Sequence, residues 1–324
     1  MQISRSILYA ILAGIFSIYP TKIYALEINR EYGEASFKFL KLPLSPRIVG
    51  LGGAGAALSD GAGELDLNPA AAAPTAAPTS AAASPAGNNS GHIIASQGYP
   101  FSEFGAATNF ITWSIPLEKY SLLLNARYLG FDKIEGHNDN SQATTAYGAH
   151  SFKAQAGVAG MLLDISWGLT VNFATNNIAN ANYSSALINA GLRYQIISGL
   201  YAGLSAVNAD FWTSTALVAG NADPFPPTAL QAGLSYAHAI GSQFKAALAL
   251  DARTRNDEKM AWPMGAEITY ADLITGRIGY PLLEQEPGIA AGVGIHWSRF
   301  QLQYAYQGHE TLSAGHFFSL DVAY

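Results

Sequence analysis

Hydrophobic and polar positions alternate one by one along the end of the chain, from Gly288 to Tyr324. Residues 289–297, 300–307 and 318–324 each place large apolar or aromatic residues at every second position. Because successive side chains of a β-strand point to opposite faces, this pattern predicts three strands with one apolar face each. A one-faced sheet of a soluble protein gives the same alternation. The small or polar second face and the aromatic last residue favour a barrel that spans a bacterial outer membrane.

The same alternation recurs through the second part of the chain. Turn signals divide it into fourteen strand-like segments, and single-chain bacterial barrels have an even number of strands. We therefore predict an all-β fold, a 14-stranded antiparallel transmembrane barrel. Its strands are predicted at residues 92–97, 105–115, 120–130, 150–163, 166–176, 184–196, 200–209, 228–239, 244–253, 262–270, 274–282, 288–297, 300–307 and 315–324.

The connections between these segments alternate in length. Short turns are predicted near residues 117–119, 164, 198, 241–242, 272 and 298–299. Longer polar loops are predicted at residues 131–149, 177–183, 209–227, 254–261, 283–287 and 308–314. Such barrels usually combine short periplasmic turns with long external loops. The longer set is therefore predicted at the cell surface.

The alternation also assigns a face to each strand residue. The set predicted to contact lipid includes Trp167, Leu169, Val171, Ile295, Trp297, Leu302, Leu320 and Val322. Charged strand residues such as Arg127 and Asp251 are predicted to face the lumen, because a mid-bilayer Arg or Lys costs about 2–4 kcal/mol.

The last strand is predicted to be the assembly signal that pairs with the barrel-assembly machinery by edge addition. Its outward residues are Phe318, Leu320, Val322 and Tyr324.

Composition agrees with a wall that contacts lipid. Only 12% of the residues are charged and 49% are hydrophobic, which is too few charges to cover the surface of a soluble domain of this size. Outer-membrane lipid is thus an expected partner, and the cell outer membrane the expected localisation. Without Arg5 and Lys22 the chain has 15 basic and 23 acidic residues, a formal charge of −8. That balance argues against nucleic-acid binding, and the absence of Cys excludes disulfides.

The chain divides into three zones. Residues 1–25 resemble a secretory signal peptide with its basic start, its apolar stretch and an Ala25 cleavage site; an uncleaved anchor helix is the alternative. Residues 26–91 lack strand periodicity and are predicted to form a short N-terminal plug over residues 40–70. An Ala/Pro-rich segment follows it, and we expect disorder at residues 71–89. Residues 92–324 form the predicted barrel.

The plug zone contains a glycine motif with two interpretations. The run from Gly50 to Gly55 fits G-x-G-x-x-G, a pattern of dinucleotide sites. No alternation of strands and helices surrounds it, so close backbone packing at Gly50, Gly52 and Gly53 is the better interpretation. Asn68-Pro69 similarly indicates a turn, or a turn that fixes the plug against the wall. No catalytic, cofactor or metal-binding motif is recognised in the sequence, and no enzyme is expected.

Several of these residues carry a family resemblance. Residues 39–47 (FLKLPLSPR), Gly50-Leu51-Gly52-Gly53 and Asn68-Pro69-Ala70 resemble a series found in the PorV/PorQ family, which is distantly related to FadL. Residues 128–152 resemble the PorQ branch most. The resemblance assigns Arg47, Gly50, Gly52, Gly53, Asn68 and Pro69 to a plug motif. Pro46 departs from the family, which usually has a small residue there, and residues 70–87 have no clear counterpart.

This resemblance implies a non-enzymatic function. PorQ-like proteins belong to the type IX secretion system, so the chain is expected to anchor surface proteins of a secretion and attachment complex through its long loops. The alternative hypothesis is a FadL-like transporter of hydrophobic small molecules. A purely structural barrel is a third, weaker hypothesis. A transporter requires a continuous apolar path past the plug, whereas an anchor does not.

Overall fold

The structure, a computed structural model, describes residues 35–43, 45–58, 62–74, 90–101, 105–131, 134–137, 142–179, 181–214, 225–282 and 288–324. The proposed signal peptide and most of the Ala/Pro-rich segment lie outside these ranges. Within them, no helix is long and apolar enough to cross a membrane. The described residues form one barrel with a segment of chain inside it.

Fourteen antiparallel strands close into a single barrel, which confirms the predicted fold. Each strand pairs with its neighbours in the chain, and the first strand pairs with the last, from His92 opposite Ala323 to Tyr99 opposite His316. The strands are β1 (His92–Tyr99), β2 (Ala107–Pro116), β3 (Tyr120–Gly130), β6 (Ala149–Leu162), β7 (Ile165–Ile178), β8 (Ala181–Ile197), β9 (Leu200–Thr213), β10 (Ala229–Ile240), β11 (Phe244–Arg255), β12 (Glu258–Tyr270), β13 (Ile274–Leu282), β14 (Ala290–Trp297), β15 (Phe300–Gln307) and β16 (Gly315–Ala323). Closure leaves no strand edge for lipid to cover.

Two further strands form a separate hairpin between β3 and β6. They are β4 (Ile134–His137) and β5 (Ala143–Tyr147), paired from Ile134 opposite Tyr147. The sequence predicted a long polar loop here. All five side chains of β5 are exposed, so this hairpin stands clear of the barrel core.

The outer wall of the barrel is apolar and the inner wall is small or polar. Leu169 and Val171 on β7 are 46% and 52% exposed, whereas Thr170 between them is 1% exposed. Outward aromatic rings pair near the short-turn end, as Tyr120 does with Trp167 and Phe244 with Tyr270. An apolar band with aromatic girdles is the surface that an outer-membrane barrel presents to lipid. The architecture thus agrees with the predicted localisation in the cell outer membrane.

The connections agree with the predicted alternation only in part. The short turns all lie at one end of the barrel, together with the first residue of β1 and the last residue of β16. Two predicted long loops are wrong, however: residues 179–180 alone connect β7 to β8, and residues 256–257 alone connect β11 to β12. The strands continue through both regions because their ladder hydrogen bonds persist. We name the end with the remaining long loops the outer end and its opposite the periplasmic end.

The barrel orientation predicts different tolerance to charge at two outward positions. Val171 lies midway along β7, whereas Leu162 lies at the periplasmic end of β6, and both side chains are exposed. An outward Arg costs about 2–4 kcal/mol at mid-bilayer and about 0–1 kcal/mol near the interface. We expect Val171→Arg to lower the amount of folded barrel in outer-membrane fractions well below that of Leu162→Arg, as measured by heat-modifiable gel mobility. Equal amounts of the two variants would contradict the assigned depth.

Candidate functional site

The candidate site is the barrel lumen, because the described residues 35–74 lie inside it as a plug. The plug begins at the outer end, where the Ala35 amide donates to Asp257 and the Lys41 ammonium contacts Asp257 and Glu258 at 2.5 and 2.8 Å. Pro69–Ala72, a 3₁₀ turn, packs against β6, β7 and β8 nearer the periplasmic end. The plug therefore crosses the lumen from its outer end towards its periplasmic end.

Arg47 anchors the plug to the wall of β12 and β13. It lies in α1 (Pro46–Gly50), a single turn that begins with a proline whose fixed φ suits the first helical position. Its guanidinium donates two hydrogen bonds to Glu267, at 3.2 and 2.8 Å, and Arg277 donates a third at 3.1 Å. Glu64 of the plug lies 3.7 Å from Arg47, and burial raises the pKa of the Glu64 carboxyl while Arg47 opposes that shift. All four side chains are buried, so each charge depends on the others.

Asp66 anchors the opposite side of the plug. Its carboxylate forms an ion pair with Lys153 of β6 and lies 4.0 Å from the Arg127 guanidinium of β3. Lys153 and Arg127 are each 1% exposed. Arg127 also lies over the ring of Phe39, 5.5 Å from its centroid. One plug carboxylate thus compensates two buried wall cations.

A third set of contacts holds plug backbone. Asp251 of β11 accepts hydrogen bonds from the Gly55 and Ala56 amides at 2.6 and 3.0 Å. Arg193 of β8 donates to the Ala57 carbonyl at 2.8 Å. Because these wall groups bind main-chain atoms, they constrain the path of the plug more than the identity of its side chains.

Asn68 connects plug and wall in the same way. Its side-chain amide donates to the carbonyls of Ala56 and Leu192, and its oxygen accepts from the Ala70 amide at 3.0 Å. The last bond caps the Pro69–Ala72 turn. The turn and the wall contact, which the sequence left as alternatives for Asn68-Pro69, therefore occur together.

The wall facing the plug carries a band of glycines. Three pairs lie directly opposite each other on neighbouring strands, and these are Gly168 with Gly191, Gly203 with Gly233, and Gly265 with Gly279. A methyl group added at Gly168, Gly203, Gly265 or Gly279 would lie less than 3.0 Å from plug backbone atoms. We call these six residues the glycine band. It lets the plug backbone approach the wall more closely than any side chain would allow.

The glycines predicted for the plug motif lie against this wall. Gly52 and Gly53 have φ values of 66° and 88° and end α1, where their amides donate to Val49 and Ile48. A Cβ at Gly50 would lie 3.3 Å from the backbone of Gly292. The plug motif Arg47, Gly50, Gly52, Gly53, Asn68 and Pro69 thus lies at the plug–wall contact.

The proposed assembly strand lies elsewhere. The side chains of Phe318 and Leu320 on β16 and of Tyr324 just after it are exposed on the outer wall, and that of Val322 is partly exposed. The Tyr324 hydroxyl accepts a hydrogen bond from the Trp113 indole at 2.7 Å. The role of these residues in assembly remains a prediction.

Sequence reasoning missed most of the charged partners. Glu64, Asp66, Glu267 and Arg277 were not singled out, although the inward positions of Arg127 and Asp251 were expected. The sequence did contain a signal for the plug carboxylates, because Glu64 and Asp66 are the acidic residues nearest Asn68 in a segment of small residues. Across the described ranges, no group of three or more His, Cys, Asp or Glu could hold a metal ion.

A cavity of about 250 Å³ lies between the plug and the outer end of the barrel. We call it the outer cavity. Its apolar lining includes Leu42, Ile48, Leu67 and Phe101, and charged residues such as Arg253 and Glu258 also line it. The plug forms its floor. It is thus a partly apolar chamber above a polar seal.

Comparison with known proteins reveals similarity of fold. No protein-family model matches the sequence, and no curated protein matches it. Among solved structures, the toluene transporter TbuX of Ralstonia pickettii superposes with a TM-score of 0.59 at 10% identity, covering 87% of this chain and 98% of TbuX. The monoaromatic hydrocarbon channel CymD gives 0.57 at 15% identity over 87% and 97% of the two chains. A FadL homologue of Pseudomonas aeruginosa gives 0.51 at 10% identity over 87% and 98%.

These neighbours share the barrel architecture of this chain. Because their sequence identities to it are low, the similarity establishes the fold alone. They are transporters, channels or FadL homologues by name. Their fold agrees with the FadL-like barrel fold expected from the sequence. The PorV/PorQ assignment itself remains a prediction.

The glycine band generates a prediction with a control on the same strand. Gly279→Ala places a methyl group against the backbone of Leu51 and Gly52, whereas Gly276→Ala meets no atom within 4 Å. Overpacking of this kind costs about 1–3 kcal/mol. We expect Gly279→Ala to unfold at a clearly lower temperature than wild type by circular dichroism in detergent, and Gly276→Ala to match wild type. Equal stability of the two variants would mean that the plug is not seated on the band.

Proposed function

We propose that the protein carries small hydrophobic molecules across the outer membrane through its lumen. The observation that carries this proposal is the outer cavity, a partly apolar chamber at the outer end of a closed barrel. The fold shared with TbuX and CymD supports it, since both are hydrocarbon transporters or channels by name. The neighbours favour this hypothesis over type IX secretion.

The size of the cavity limits the substrate. Engineered apolar cavities of about 150 Å³ bind benzene, and the outer cavity measures about 250 Å³. Leu42, Ile48 and Phe101 offer no hydrogen bond from their side chains. A molecule of roughly one ring therefore fits both the volume and the apolar part of the lining.

The plug sets the next step of transport. It forms the floor of the outer cavity, so a bound molecule must pass it on the way inward. Its anchors are ion pairs and hydrogen bonds to the wall at Glu267, Lys153 and Asp251. A shift of the plug segment between two anchors would open a path without unfolding the barrel.

The test is the uptake of toluene by cells that lack their own hydrocarbon transporter and carry this protein. Leu42→Trp adds volume to the wall of the outer cavity. We expect it to reduce the initial rate of uptake towards that of cells without the protein, because the introduced indole ring occupies the space of the substrate. The amount of folded barrel is measured in parallel.

A matched control separates blockage from general damage. Tyr147→Trp introduces the same side chain on the exposed hairpin, away from the cavity lining. Its uptake should equal that of the wild type. Wild-type uptake no faster than that of cells without the protein would overturn the proposal.

The hairpin of β4 and β5 favours a second candidate function, the anchoring of a type IX surface complex. It lies within the block that resembles PorQ, and the side chains of β5 are exposed at the outer end. Loops on a rigid scaffold are common binding surfaces, because they can vary without disturbing that scaffold.

Loop replacement tests this second candidate. Substituting residues 131–148 by a short Gly/Ser turn should leave the barrel folded, since this segment connects two strands that already pair with each other. Anchoring predicts that a surface protein then moves from the cell to the medium. Retention of all surface proteins on the cells, with normal barrel abundance, would eliminate docking at this hairpin.

A further inference from the structure

The barrel closes where β1 pairs with β16, and we call this pairing the seam. These two strands have eight and nine residues, whereas β6 and β7 have fourteen each. The other neighbouring strands of the barrel are joined by a connection of the chain, but His92 and Asp321 in the seam are 229 positions apart. Because no short connection holds β1 to β16, their separation gains chain entropy without stretching a turn.

Tyr324, which follows β16, extends the seam and connects it to a third strand. The Gly91 amide donates to the Tyr324 carbonyl at 3.2 Å, and the Tyr324 amide donates to the Gly91 carbonyl at 2.9 Å. The side chain reaches past the start of β1 to β2. There its hydroxyl accepts a hydrogen bond from the Trp113 indole at 2.7 Å and donates one to the Ser114 carbonyl at 3.4 Å. One residue thus joins β16, β1 and β2.

Gly91 makes this path of the tyrosine side chain possible. A Cβ added at Gly91 would lie less than 3.0 Å from the Cζ, Cε1 and hydroxyl oxygen atoms of Tyr324. The ring therefore lies directly over the glycine, where no other residue would leave room for it. A side chain at position 91 would displace the phenol rather than the strands, because the ring is the movable end of a side chain.

The lumen face of the seam is held at the same end. A ring nitrogen of His92 on β1 lies 3.0 Å from each carboxylate oxygen of Asp321 on β16. The His92 amide donates to Ser114 Oγ on β2 at 3.2 Å. At its periplasmic end the seam is therefore tied to β2 on both faces, outside by the Tyr324 phenol and inside by His92.

We propose that the Tyr324 hydroxyl is a clasp that controls the opening of the seam. When β16 separates from β1, the hydroxyl must leave Trp113 and Ser114, so these hydrogen bonds are lost in the same step as the strand pairing. In the apolar surroundings of the outer wall, polar groups that lose their partners are left unsatisfied, which opposes the step. The clasp is independent of what the lumen transports.

Tyr324→Phe tests the clasp, because it removes the hydroxyl and keeps the aromatic ring of the predicted assembly signal. The amount of folded barrel in outer-membrane fractions should therefore equal that of the wild type. Its rate of unfolding in urea and detergent should rise about two- to tenfold, as expected for the loss of hydrogen bonds. The rate is measured as the decay of the heat-modifiable form on gels. Gly91→Ala, which displaces the phenol, should also raise the rate.

Tyr270→Phe is the matched control for the loss of a hydroxyl. Tyr270 is another outward tyrosine at the periplasmic end, and its ring packs against Phe244, a contact that Phe retains. Its hydroxyl makes no hydrogen bond to any residue that the structure describes. Tyr270→Phe should therefore unfold at the rate of the wild type. An equal acceleration in Tyr270→Phe and Tyr324→Phe would overturn the clasp.

A cross-link distinguishes control of the seam from general stabilisation. Ala95 and Leu320 lie opposite each other with exposed side chains, and the chain has no Cys, so Ala95→Cys with Leu320→Cys introduces a single disulfide across the seam. In the oxidised protein the seam stays closed, so Tyr324→Phe should no longer change the rate of unfolding, and reduction should restore its effect. Acceleration by Tyr324→Phe that persists in the oxidised protein, or its absence in the reduced protein, would contradict the proposal.

Discussion

The free energy of burying charge inside a closed wall is the constraint on which this structure depends. Lipid outside forces charged strand residues inward, and the plug then removes water from them. Arg127, Lys153 and Glu267 would each be strongly unfavourable if left alone in that interior. Arg47 and Asp66 of the plug supply the complementary charges. The wall and the plug are thus electrostatically incomplete without each other, which explains why distant parts of the sequence carry matched charges.

Shape follows a similar complementarity. The glycine band on the wall and Gly50, Gly52 and Gly53 in the plug let two backbones come into contact. Close contact excludes water, and this strengthens the neighbouring ion pairs because charges interact more strongly where the dielectric is low. On β15 and β16, where the band is absent, α1 packs through side chains instead, as Val49 does against Ala305 and Phe317. Glycine therefore determines where the plug backbone contacts the wall directly, and side chains fill the contact elsewhere.

Sequence periodicity was sufficient for the barrel but not for its interior contacts. Alternation at residues such as Leu169 and Thr170 fixes the face of each strand, because only one face meets lipid. The hairpins at residues 179–180 and 256–257 were missed, since polar residues such as Asn177 and Asn256 suit both a loop and a strand that extends beyond the membrane. The partner of Arg47 could not be predicted either. Alternation assigns Glu267 to the lumen, but which lumen charges meet depends on the path of the plug, and that path has no periodic signal.

The pairing of β1 with β16 has a consequence for the order of events during biogenesis. The plug precedes every strand in the chain, yet Arg47 meets its partner Glu267 220 residues later. Contacts of such separation form slowly, because a long segment must be ordered before they add any stability. Once His92 and Ala323 are joined, the lumen is reached only through its two ends. The N-terminal segment is therefore best captured while the sheet is still an open, curved surface, so the final seam between the first and last strands also serves as the step that traps it.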